Sequence, residues 1–297
     1  MRKLTIIVTC TDRKSARPTR DTLARSLPIG SLSDRSDIWR TRLKSAPSRH
    51  PLSALYQGES WSQVTKLGTT VRRAGFEPRI LVASAGLGLR DLTSTAPAYG
   101  ATFTRYQQDS VCQTRADSQD WWHDRIHDHS ALDPARELRG QVLLVLSANY
   151  AVALEADLLA LAQRGSDCLL VGGARDIAGL PRLASDRRLR SHLGGTITGL
   201  NMRTAIAWLE RLDGYSLHSD SLQDAWNTWA STVLRSENYE RATVGDEEVL
   251  TFIREARAAN PTLPRTRALR LLRDNNLACE QRRFAQLFAQ AVSAPCQ

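Results

Sequence analysis

The chain has 297 residues, of which 42% are hydrophobic and 24% charged, with a net charge of +9 and five cysteines. That hydrophobic content supports a sizeable core, so disulfides are not required for stability. The cysteine count is odd and no pair sits at metal-ligand spacing, which argues against a secreted disulfide framework and for reduced thiols in a cytoplasmic protein.

The basic balance favours a polyanionic partner through attraction and counterion release. Only four of the 40 basic residues are lysines, and an arginine bias of this kind also arises from GC-rich coding. Distribution favours the partner: residues 1–50 carry twelve Lys and Arg against four Asp and Glu. Nucleic acid is therefore the expected partner.

In chain order, Leu4 to Thr9 is apolar and β-branched and reads as a buried strand. The apolar run stops at Asp12-Arg13-Lys14, too short for a signal peptide's core or a bilayer span, and no other segment approaches transmembrane length. An arginine-rich stretch follows to about residue 52. Its Pro18, Pro28, Pro47 and Pro51 argue against one long helix and for a mobile arm or a loop ordered by its partner. A helix is expected over 59–74, ending at Gly75, then a strand over 79–84 and a long loop over 85–104. A charged helix over 117–129 carries Trp121 and Trp122. Strands at 142–146 and 168–171 bracket a helix over 150–164, and Gly194-Gly195-Thr196 leads into a helix over about 201–212. Beyond that, only helices are expected, over 220–235, 244–259, 265–275 and 279–292.

Strands alternating with helices imply parallel pairing. The fold class is thus α/β: a three-layer αβα domain with a mostly parallel, Rossmann-like sheet over 1–212, and a helical region over 213–297. In that region Thr266–Arg273 and Cys279–Phe288 flank Asp274–Ala278, which looks like a helix-turn-helix; a plain αα-hairpin gives the same pattern. Leu269, Leu272, Phe284, Leu287 and Phe288 would face the core, and Gln281, Arg282 and Arg283 would open a recognition helix on DNA.

Ligands of open parallel sheets bind beyond the carboxyl ends of the strands. Each of the four strands ends in small or polar residues: Thr9–Ser15, Ser84–Gly88, Ser147–Tyr150 and Gly172–Asp176. The second of these loops, Ser84-Ala85-Gly86-Leu87-Gly88-Leu89-Arg90-Asp91, is not a dinucleotide fingerprint, because no third glycine follows at the required spacing and Pro97 interrupts the expected helix. Tyr99 and Phe103 offer either a stacking face for a base or anchors of the loop to the core.

Ser84-Ala-Gly-Leu-Gly-Leu, a short spacer and Pro97-Ala98-Tyr99 resemble the pattern of the peroxide-stress YaaA-like proteins over about residues 80–105. Leu55-Tyr56-x-Gly58 and Trp121 resemble the same group more loosely. The extra Ala98 between Pro97 and Tyr99 departs from the family's adjacent pair. The resemblance implies a DNA-associated α/β protein.

The sequence lacks a P-loop, the zinc-deaminase signature and a serine-hydrolase elbow. His123, His127 and His129 alternate with Asp120, Asp124 and Asp128, a pattern read as a solvated helix face rather than a metal centre, so no metal and no cofactor is expected. What remains is cleavage of a base–sugar bond, where one carboxylate stabilises an oxocarbenium-like sugar or activates water. Asp12 and Asp91 are the carboxylates expected on adjacent strand-end loops. Ser84, Gly86, Tyr99, Ser147, Asn149, Tyr150 and Asn201 are the candidates for contacting a base, although Asn201 also suits a helix start. Arg13, Lys14 and Arg175 would hold phosphates. The expected function is a DNA N-glycosidase that takes a flipped, modified or damaged base out of duplex DNA, in repair or in defence against phage. A non-catalytic DNA-binding stress protein and a nucleoside-processing enzyme are the alternatives.

Overall fold

The computed structural model describes residues 2–126, 132–235 and 242–293. Contacts divide the chain into two compact units, Met1–Arg235 and Ser236–Gln297. The boundary falls after residue 235 rather than 212, because helix Asp220–Val233 buries Leu222 and Trp226 in the core of the first unit.

The first unit is a Rossmann-like α/β fold around a six-stranded sheet. The strands are β1 (Arg2–Thr9), β2 (Phe76–Ser84), β3 (Gly88–Asp91), β4 (Gln141–Leu146), β5 (Cys168–Gly172) and β6 (Arg182–Leu183), in the order β3-β2-β1-β4-β5-β6. All pair in parallel except β3, which folds back on β2 as a hairpin. Register is set at the centre, where Ile6 of β1 stands between Ile80 of β2 and Leu143 of β4. Five consecutive residues are buried in β1 and all five are buried in β5. A strand apolar on both sides needs cover on both sides, which is why these segments lack polar alternation. The chain builds outward from β1 to β2 and then crosses to the other side for β4. The switch point therefore lies between β1 and β4, at the carboxyl ends where such sheets bind ligands.

The described α-helices of this unit longer than four residues are α1 (Leu32–Ser45), α2 (Glu59–Arg73), α3 (Arg115–Ile126), α4 (Ala148–Ala153), α5 (Glu155–Gln163), α6 (Leu200–Leu209) and α7 (Asp220–Val233). In α2, Trp61, Val64, Leu67, Gly68 and Val71 recur at helical spacing and form its buried stripe.

The arginine-rich stretch is not a mobile arm. Between Pro28 and Pro47 nothing interrupts a helix, and α1 forms there. Ser31 caps it by accepting from the Asp34 N–H at 3.1 Å and donating to the Asp34 carboxylate at 2.7 Å. Trp39 and Leu43, one turn apart, bury α1 against the domain. The expected loop over 85–104 holds β3 and a two-residue strand, Thr95–Ala96, that pairs with His50–Pro51.

The second unit has its own core, which includes Val249, Ile253, Leu269, Leu272, Phe284 and Leu287. Its helices are α8 (Asp246–Ala259), α9 (Arg265–Asp274) and α10 (Gln281–Ser293). Four of the five expected core residues there are buried, and Phe288 is partly so. Between α9 and α10 lies a short strand, Leu277–Ala278, paired in parallel with Ala242–Thr243. The two helices thus flank an extended, paired segment rather than a bare turn. No described helix is long and apolar enough to cross a membrane.

Candidate functional site

Three strand ends meet at the switch point. Cys10 N–H donates to the Ala83 carbonyl at 3.0 Å, and Ser147 N–H donates to Thr9 Oγ1 at 3.0 Å. The loop after β1 is then clamped from the side. Lys14 forms an antiparallel bridge with Tyr56, Gln57 N–H donates to the Arg13 carbonyl at 2.9 Å, and Ser15 N–H donates to the Leu55 carbonyl at 2.8 Å. Gly58 serves this clamp. At φ +102° it takes a conformation that disfavours side chains, and a Cβ there would meet Arg13 Cδ at 3.0 Å. Leu55-Tyr56-x-Gly58 is therefore the strap that fixes the β1 loop.

Beneath the strap lies a buried layer of hydroxyls. Ser84 Oγ accepts from the backbone N–H groups of Gly86 at 3.1 Å and Leu87 at 3.2 Å. Both its lone pairs are then used, so its proton goes to Tyr99 Oη at 2.5 Å, and Tyr99 in turn donates to Tyr56 Oη at 2.6 Å. Tyr150 Oη accepts from Ala85 N–H at 3.0 Å and lies 3.1 Å from Cys10 Sγ. The carbonyls of Ala85 and Gly86 accept from the buried indoles of Trp121 at 2.6 Å and Trp39 at 2.8 Å. A Cβ on Gly86 would stand 2.5 Å from ring carbons of Tyr99. The polar groups of the Ser84–Leu87 loop are thus satisfied internally, and glycine at 86 makes room for Tyr99.

Burial holds all three tyrosines protonated. Tyr56, Tyr99 and Tyr150 are pushed well above the ordinary phenol range, first by desolvation and then by the neighbouring Cys10. Lys14 lies on this layer. Its Nζ is 4.2 Å from the centre of the Tyr99 ring and 5.6 Å from that of Tyr56, and it donates to the carbonyls of Thr11 at 3.2 Å and Asp12 at 3.5 Å. Burial lowers its pKa below the ordinary lysine value, and the opposing pull of Cys10, Asp12 and Asp109 does not restore it.

The candidate residues fall into three groups. Asp12, Arg13, Ser147 and Asn149 reach the surface of the switch-point edge, where Asn149 Nδ2 donates to Thr104 Oγ1 at 3.3 Å. Ser84, Gly86, Tyr99 and Tyr150 are buried beneath that edge, with Lys14 half-buried between the two layers. The others lie elsewhere. Asp91 is carried back by the β3 hairpin to pair with Leu81, three residues behind the strand end. There it pairs with Arg79 at 3.3 Å and accepts from Thr93 N–H at 3.0 Å, so it does not share a loop edge with Asp12. Asn201 donates its amide to the Leu146 carbonyl at 2.8 Å and packs on Gly172, joining α6 to the strand ends. Arg175, on the loop after β5, pairs with Glu155, which also holds Arg115.

In the second unit, Gln281 and Arg282 are exposed in the first turn of α10, while Arg283 pairs with Asp246 at 2.6 Å. His127, His129 and Asp128 lie outside the described residues, among which no group of three His, Cys, Asp or Glu is placed to hold a metal.

Of the two aromatic residues offered for stacking, Tyr99 and Phe103 are both buried anchors. Tyr106, by contrast, is an exposed aromatic residue, 93% accessible. It stands at the tip of a loop closed by paired hydrogen bonds, Thr102 N–H to the Asp109 carbonyl at 2.9 Å and Val111 N–H to the Thr102 carbonyl at 3.0 Å. Its φ of +64° is unusual for a bulky side chain and marks local strain. The same loop carries Asp109, which acts on Lys14, and Thr104, which holds Asn149. Sequence reasoning missed Tyr106 because nothing in Arg105-Tyr106-Gln107 distinguishes an exposed tyrosine from a buried one. No protein-family model, curated protein or solved structure matches this chain.

Proposed function

We propose that the first unit processes a nucleobase in DNA, as an N-glycosidase that excises a modified or damaged base. The observation that supports this reading most is the edge between β1 and β4. The loop after β1 carries the exposed Asp12, and the first turn of α4 carries the exposed Asn149, whose amide is joined through Thr104 to the loop bearing Tyr106; a layer of protein-satisfied hydroxyls lies beneath this edge. Cleavage of a base–sugar bond needs little more. Asp12 stabilises the positive charge that develops on the sugar or activates water, Asn149 and Ser147 meet the base edge, and Arg13 holds a flanking phosphate. Tyr106 offers an aromatic face to the stack from which the base is withdrawn. In this reading Asp91 is a hairpin residue rather than a catalytic one.

The second unit supplies further DNA contact in this proposal. Thr266, Arg267, Arg270, Leu271 and Asp274 line an open groove on α9, and the exposed Arg282 begins α10. This arrangement suits phosphate contact whether or not the helices dock as a helix-turn-helix.

The test is incubation of the full chain with duplexes carrying damaged and hypermodified bases, followed by alkali to reveal abasic sites. Base release from at least one duplex is expected. Binding that falls with salt, but with no release from any duplex, replaces the proposal with a non-catalytic DNA-binding protein. Affinity that does not change with salt removes DNA as the partner.

A further inference from the structure

We infer that an open cavity in the first unit, walled by the arginine-rich stretch, receives the phosphate of a monoester, whether a small phosphorylated molecule or the phosphate that ends a DNA strand. The inference goes beyond the N-glycosidase reading, which needs no terminal phosphate. The cavity has a volume of about 160 Å³. An engineered cavity of about 150 Å³ takes benzene, so a group of about six heavy atoms fits such a space. A phosphate with its ester carbon has that size, whereas a base or a whole nucleotide exceeds it. Ala46, Pro47, Pro97 and Ala98 supply apolar wall, and Arg17, Ser48 and His50 bring hydrogen-bond donors.

Those donors are unused. The side chains of Arg17, Ser48 and His50 make no hydrogen bond or ion pair among the described residues. No carboxylate among the described residues lines the cavity, so the guanidinium of Arg17 meets no counter-charge there. The last turn of α1 borders the cavity and carries Arg42 and Lys44, which offset the partial negative charge of its carbonyl end. Three free donors match the three terminal oxygens of a monoester, whereas a backbone diester or a carboxylate offers only two. The monoester also carries the larger negative charge at neutral pH. The walls are pinned before any ligand arrives. Gly100 N–H donates to the Thr22 carbonyl and Ala24 N–H to the Gly100 carbonyl, both at 2.8 Å. His50 pairs with Ala96, and the Arg49 side chain donates to the Thr95 carbonyl at 3.1 Å. Pro97-Ala98-Tyr99 thus serves two places: Pro97 and Ala98 wall the cavity, and the Tyr99 hydroxyl joins the buried layer.

The test is calorimetric titration of the full chain with methyl phosphate, a monoester, and with dimethyl phosphate, a diester. Saturable binding of one methyl phosphate per chain is expected, with the diester weaker by about tenfold or more. Arg17→Gln and His50→Gln are each expected to weaken methyl phosphate binding by about tenfold or more. Arg73→Gln, which removes the same charge from an exposed position on α2, is expected to bind as the wild type does. If one cavity variant fails to fold, the other and Ser48→Ala decide. No saturable binding of methyl phosphate, equal binding of the diester, or wild-type binding by folded Arg17→Gln overturns the inference. Duplexes ending in a 5′-phosphate or a 5′-hydroxyl then separate the two sources. A preference for the phosphorylated end that Arg17→Gln loses assigns the strand end, and equal affinity for both assigns the small molecule. No base release enters these readouts, so this inference and the N-glycosidase reading fail separately.

Discussion

Lys14 Nζ stands 4.2 Å from the centre of the Tyr99 ring, and Tyr99 stands 2.5 Å from Ser84 through its hydroxyl. The lysine, the aromatic face and the strand-end serine thus form one column at the carboxyl edge of the central sheet. The column mixes a disfavoured charge with a satisfied hydroxyl chain, and the two halves respond to substitution and pH in opposite directions.

For Lys14 the folded pKa lies below the unfolded value of 10.5. Between those two values the unfolded chain binds more protons, so this group's contribution to stability rises with pH through that window. Below it the charged amine costs stability. Lys14→Met, which keeps the stem and removes the charge, is expected to raise the urea midpoint at neutral pH. A lowered midpoint would contradict the desolvation account.

The tyrosines act in the reverse sense. Their folded pKa values are raised, so their stabilising contribution is fully present below about pH 10 and is lost above it, as the unfolded chain releases phenolic protons that the native one keeps. Tyr99→Phe leaves Tyr56 and Ser84 without their shared partner in a buried layer and is expected to cost about 1–3 kcal/mol. Urea denaturation at neutral and at alkaline pH measures both effects.

Tyr106→Ala separates surface function from fold. The side chain is exposed and makes no ring contact among the described residues, and alanine keeps the Cβ that strains the left-handed backbone, so thermal stability is expected to stay about the same. Affinity for duplex DNA, or base release from it, is expected to fall by about tenfold. A variant that melts earlier but binds normally would make Tyr106 structural.

Asp91→Asn tests the hairpin assignment. Burial alone would raise this carboxyl, but hydrogen bonds from Thr93 and pairing with Arg79 hold it below the usual range. Its contribution is present above the unfolded value of 3.8 and is lost as pH falls through the lower folded value. The variant is expected to lose a little stability at neutral pH, to lose that part of the acid dependence, and to release base at the wild-type rate.

The sheet was legible because its strands are continuous apolar runs, such as Val142–Leu146 and Cys168–Val171, which leave few other readings. The carboxyl edge of the sheet was legible for the same reason, since strand ends locate it. The arginine-rich stretch misled because its prolines punctuate the segment as a whole, while α1 needs only the proline-free interval from Leu32 to Ser45. Asp91 misled because Gly88–Asp91 turns back as an antiparallel strand, and a hairpin inside a parallel sheet reverses which end of the sheet a residue reaches. Ser84, Gly86 and Tyr99 had the composition of a ligand loop. Their partners, Trp39, Tyr56 and Trp121, lie far away in sequence, so no local pattern announced that the loop's polar groups are already satisfied.

The most direct measurement compares single-turnover base release by the wild-type chain and by Asp12→Asn on the duplex that the wild type cleaves best. The account predicts free base and alkali-labile sites from the wild type, and release slowed about a hundredfold or more in the variant with DNA affinity retained. Equal release by Asp12→Asn, or no release by the wild type from any duplex it binds, would contradict it.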